Sequence, residues 1–214
     1  MSGLVSSGQA VSDLRRYFGI GLEEGQLPYT GSRFEHLSGG GDRASVADVV
    51  TADDLIAVQT LSVRVPVQVA VDLLEGDLGS RLSGYLRKIP GDVDLARADA
   101  AELKPGSAAH EAWRLLCEQT GVKWVVAGKL LARKRPRLLP VYDQVVRCVL
   151  GHPASFWLDL HAALRADGFA LQQELLALRK CAEIPDTVSA LRVCDVVLWM
   201  RHHERHRSTG CAGV

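Results

Sequence analysis

Apolar residues recur at helical spacing through most of this chain, in short blocks that glycine and proline keep interrupting. That punctuation limits the fold more than any other feature. Gly76, Gly91, Gly121, Gly151 and Gly168, with Pro66, Pro90, Pro105, Pro136, Pro140, Pro153 and Pro185, argue against a bundle of a few long helices. The spacing predicts helices over 9–19, 52–63, 66–75, 78–88, 107–119, 124–134, 140–150, 154–167, 169–182 and 187–205. The one strand-like alternation, Leu61 to Val65, reads as a helix end, because Thr51 and Asp54 have capping-box spacing ahead of it. The expectation is an all-α fold, a compact orthogonal helical bundle.

Bulk composition narrows the class. With 214 residues, 47% hydrophobic and 23% charged, the chain suits one domain with a packed core. Lys plus Arg and Asp plus Glu both total 25, so attraction to a polyanion must come from a local patch. Cys117, Cys148, Cys181, Cys194 and Cys211 form no CxxC pair, and no secretory signal is visible, which reads as reduced thiols in a cytoplasmic protein. No apolar run approaches the about 18 residues of a membrane span. The expected organisation is an N-terminal helix and irregular loop packed on the core (1–48), a helical domain (49–206) with a hairpin at 113–150, and a flexible tail (207–214). The loop includes three consecutive glycines, Gly39 to Gly41, with Tyr29 and Phe34 as apolar anchors.

The local patch is at GVKWVVAGKLLARKRPRLLPVYDQVV, residues 121–146. Trp113 to Leu150 contains eight basic residues and two acidic ones. Gly121 suits the left-handed turn that ends one helix, and Lys123 lies in the turn before the next, which begins near Trp124. Backbone amides at such a helix start point outward and favour phosphate. Lys129, Arg133, Lys134, Arg135 and Arg137 would then add phosphate contacts, making DNA the expected partner. The same cations also suit a helix C-terminus, where they offset the dipole in solvent.

This segment resembles the helix-hairpin-helix core of the DNA glycosylase superfamily. Gly121-Val122-Lys123-Trp124-Val125-Val126-Ala127 lies on that hairpin without a gap, and Asp143 follows within Pro140-Val-Tyr-Asp-Gln-Val-Val, where the superfamily has its aspartate. The likeness covers about 40 of the 214 residues and weakens at Lys123, which replaces a glycine. Val125 occupies the position of the lyase lysine in bifunctional members, and no four-cysteine cluster loop follows. The resemblance therefore implies a monofunctional N-glycosylase in which Asp143 stabilises the developing oxocarbenium ion. Trp124, Tyr142, Tyr29 and Phe34 are its candidate pocket walls. The alternatives are DNA binding without chemistry, or a structural or protein-interaction role with Lys129 to Arg137 in an internal ion network and Asp143 as an N-cap.

The whole chain also resembles a family of uncharacterised bacterial proteins, mainly actinobacterial, through Tyr29, Gly31, Phe34 and Glu35, the Asp53–Val58 helix, the Lys129–Pro136 block and Leu191–Asp195. That likeness implies a shared fold and no activity.

Elsewhere, Asp53 and Asp54 read as helix-capping carboxylates, and Arg192 with Asp195 as an intrahelical ion pair. His202 and His206 stand one turn apart, a zinc-compatible spacing, but sequence offers no third ligand. They read as a solvated helix end, and neither metal nor cofactor is expected.

Overall fold

The computed structural model describes residues 8–209; the end of the expected tail, 210–214 with Cys211, lies outside them. All regular structure among the described residues is helical. The α-helices are α1 Gly8–Phe18, α2 Ala52–Gln59, α3 Val67–Glu75, α4 Asp77–Leu86, α5 Ala108–Cys117, α6 Trp124–Lys134, α7 Gln144–Val149, α8 Phe156–Cys181 and α9 Ala190–Thr209.

Local chemistry explains most of the boundaries. Thr51 caps α2 and accepts from the Asp54 amide, while Asp54 accepts from the Thr51 amide, completing the expected box. Ser107 caps α5. Gly121, at φ 81°, makes the turn between α5 and α6, where a Cβ would also come within 2.9 Å of Pro66 Cγ. The run assigned to α8 has non-helical angles from Ala166 to Phe169, so the break expected at Gly168 is present. Two expectations need correction. The helix predicted from Pro140 begins only at Gln144, because Asp143 is its N-cap. The tail predicted from Arg207 instead continues α9 to Thr209.

The chain divides into two units. One holds the residues up to Ser32 together with those from Pro140 onward; the other is Arg33–Leu139. The irregular stretch before α2 is thus shared out, its first part to one unit and its glycine-rich part to the other. In the first unit α9 packs against α1, α7 and α8. Its residues from Ala190 to Leu198 are buried on every side, as expected of a core helix. In the second unit α6 packs against α2 and α5, α5 against α4, and α4 against α3. Here the second half of α6 and the turn after it are enclosed, since every residue from Lys129 to Pro136 is buried. Four of those eight are cations.

Candidate functional site

The basic segment of α6 faces inward. Lys129, Arg133, Lys134 and Arg135 are each at most 3% exposed. Arg133 Nε donates to Asp54 Oδ1 at 3.0 Å and Lys134 Nζ to Asp54 Oδ2 at 2.9 Å, so one carboxylate at the start of α2 serves two cations. The remaining guanidinium donors of Arg133 reach the carbonyls of Phe34, Glu35 and Leu37 at 2.6, 2.7 and 2.6 Å. Arg135 meets Asp48 Oδ1 at 2.7 Å and donates to the carbonyls of Ile89, Ala47, Lys134 and Leu86. Lys129 Nζ donates to the Leu61 carbonyl at 3.0 Å, and Lys134 Nζ also donates to that of Val46.

Burial this deep is tolerated only when charge and hydrogen-bond capacity are both met. The glycine-rich loop meets the second need. Its carbonyls are acceptors, and Gly41 lets the backbone come close: a Cβ there would sit 2.6 Å from the Arg133 carbonyl oxygen and 2.7 Å from Asp54 Oδ1. The Lys134 ammonium is held below the usual lysine range by burial, partly offset by Asp54.

The phosphate-facing hairpin therefore requires correction. Lys129, Arg133, Lys134 and Arg135 are engaged by carboxylates and carbonyls of their own unit. Arg137 is exposed and pairs with Asp94 at 2.8 Å. Gly121 and Lys123 stay outside, with Lys123 as the N-cap residue of α6. An outward electrostatic footprint of six cations shrinks to a turn and two side chains.

Asp143 is half-buried, and its Oδ1 accepts from the amides of Val145 and Val146 at 3.0 and 3.1 Å. This is the N-cap geometry that the sequence left open as an alternative to catalysis. Asp143→Ala is expected to lower stability by about 0.5–2 kcal/mol, the usual magnitude for a lost cap. Asp143→Asn should retain most of it, as read from urea midpoints by circular dichroism.

The four candidate pocket residues do not assemble into a base-sized sandwich within either unit. Phe34 is core, 1% exposed. Tyr142 stacks on Phe156 with ring centroids 4.0 Å apart, and Trp124 is half-buried in the first turn of α6. Tyr29 stacks on Tyr17 at 5.2 Å and meets Trp199 edge-on; it also lines a cleft of about 610 Å³ with Arg16, Leu22, Gln26, Leu27 and Pro28. Neither Asp143 nor Tyr142 lines that cleft.

In the first unit, Arg192 repeats the logic of Arg133. It pairs with Asp195, as its spacing predicts, and also donates to the Tyr17 hydroxyl at 2.5 Å and the Gly31 carbonyl at 2.8 Å. Arg192 and Asp195 are 3% and 5% exposed. Burial pushes the Tyr17 phenol up, with Arg192 opposing.

Sequence reasoning missed one constellation. Cys148 on α7 and His202 and His206 on α9 present ligand atoms that all lie within 4.8 Å of one another. The histidine pair was visible from its spacing; the cysteine, 54 positions before His202, was not. The other thiols differ in setting. Burial pushes Cys117 up to about 11 and Cys194 up to about 12, which leaves little thiolate at either near neutral pH.

A family model, Family of unknown function (DUF6308), matches residues 10–202. The chain belongs to this family. The match takes in both internal ion clusters, and it agrees with the end-to-end likeness expected from Tyr29, the Asp53–Val58 helix, the Lys129–Pro136 block and Leu191–Asp195. No curated protein and no solved structure matches the chain. Among the described residues, no helix is long and apolar enough to cross a membrane.

Proposed function

We propose that this chain is a protein-interaction module that pairs with a second copy of itself through α3. The observation that carries this reading is an apolar stripe on that helix. Val67, Val71 and Leu74 are 80%, 46% and 42% exposed, and their i, i+4, i+7 spacing sets them along one face. Val69 and Leu73, on the opposite side, are buried in the unit.

Two features favour a second copy as the occupant. The stripe is nearly symmetric about its middle, so antiparallel pairing across a two-fold axis sets Val67 against Leu74 and Val71 near its own counterpart. The ends are also complementary in charge. Arg64 precedes the helix, Glu75 ends it and Asp77 follows, and all three are exposed. The same pairing brings the basic end of one copy to the acidic end of the other. A formal net charge of +0 means no long-range repulsion between copies.

DNA binding and base excision rank below this reading. The first depended on six cations of which four turn inward, and the second on a carboxylate that caps its own helix.

Sedimentation velocity tests the proposal. The wild type is expected to be a dimer at micromolar concentration, and Val71→Asp a monomer with an unchanged circular dichroism spectrum. Arg64→Glu should weaken the dimer, and adding Glu75→Arg should recover part of the loss. A wild type that stays monomeric as concentration rises, or a Val71→Asp variant that dimerises equally well, contradicts it.

A further inference from the structure

We infer that Cys148, His202 and His206 form a binding site for a borderline-soft divalent cation, with Zn2+ the best fit. Three observations converge. The sulfur and one ring nitrogen from each histidine lie within 4.8 Å of one another, so small side-chain adjustments would bring all three onto one ion. The residues come from two helices, α7 and α9, that pack directly on each other, which fixes the cysteine opposite the histidine pair. Finally, His206 Nδ1 is shielded from solvent and has no hydrogen-bond partner. An orphaned ring nitrogen facing inward from a half-buried histidine is costly, and a cation would satisfy it.

The donor set selects the ion. One thiolate and two imidazoles are too soft for calcium or magnesium, which take oxygen ligands, and suit zinc. Three protein ligands leave a tetrahedral ion one open position, the arrangement of zinc sites that hold a water or a substrate atom. All three residues are half-buried, which leaves room for that exchange. Binding requires the thiolate, so loading transfers the Cys148 thiol proton to the buffer as the sulfur–metal bond forms.

The site is tested on the full chain with metal removed by chelation. Zn2+ is titrated in competition with a chromophoric chelator, and Co2+ is used as a spectroscopic probe. The wild type is expected to bind one equivalent, to release a proton, and to show a thiolate-to-cobalt charge-transfer band. Outer partners of zinc ligands are typically worth 10–100-fold in affinity, so loss of a ligand itself in Cys148→Ser or His206→Ala should weaken binding by more than about 100-fold. Cys181→Ser, at an exposed thiol that is not part of the cluster, should leave binding unchanged. Circular dichroism of each variant separates lost binding from lost folding. A wild type that binds no Zn2+, a Co2+ spectrum without the thiolate band, or a folded Cys148→Ser or His206→Ala variant with wild-type affinity overturns the inference.

Discussion

Asp54→Ala is expected to destabilise the protein by about 3–5 kcal/mol, because the carboxylate is the shared counter-ion of two buried cations. Without it Arg133 Nε loses its acceptor where water cannot replace it, Lys134 Nζ keeps only the Val46 carbonyl and no counter-charge, and the capping box of α2 is lost as well. The neighbouring Asp53 is the internal control. It is half-buried in the same helical turn and reaches only Arg43, at 3.6 Å, so Asp53→Ala should cost no more than about 1 kcal/mol. Urea unfolding of the two variants side by side checks the contrast. Comparable losses would mean that α2 uses both carboxylates alike and that the internal ion cluster is energetically idle.

Arg192→Ala should have a similar effect in the other unit, again about 3–5 kcal/mol. It removes the cation that pairs with the buried Asp195 carboxylate and the donor to the Tyr17 hydroxyl and the Gly31 carbonyl, which holds α9 to the segment after α1. The charge and the packing can be separated. Arg192→Leu with Asp195→Leu removes both charges and fills the space with apolar groups, so it should recover much of the loss. Calorimetric unfolding of the wild type, the single variant and the double variant provides the test. A double variant no more stable than the single would show that the contacts to Tyr17 and Gly31, not the ion pair, carry the effect.

Much of the fold was legible because its determinants are local. Thr51 with Asp54, Gly121 at positive φ, the break near Gly168 and the Arg192–Asp195 spacing each depend on a few adjacent residues, and each is present. The direction of the basic segment was not legible, because its partners are remote. Asp54 lies 79 positions before Arg133, and the loop carbonyls that complete the guanidinium are 96–99 positions away. A backbone carbonyl carries no sequence signature as a counter-charge. One clue was available: Leu130 and Leu131 lie among the cations and Leu138 and Leu139 follow them directly, and a solvated basic block has no use for four leucines. On Asp54, the burial of Leu55, Ala57 and Val58 places the carboxylate on the inner face of α2, so its role exceeds the capping that sequence suggested. The third metal ligand was hidden for the same reason, since Cys148 and the α9 histidines meet only in space.

The cations of α6 form an internal scaffold instead of a polyanion-facing surface. Acetylation of native lysines by a small amine-reactive reagent, followed residue by residue by mass spectrometry, tests it most directly. Lys123 is exposed, whereas Lys129 and Lys134 are 3% and 0% exposed. Lys123 should be modified rapidly, with Lys129 and Lys134 reacting only at the rate of unfolding. Modification of Lys134 in the folded protein as fast as Lys123 would contradict it.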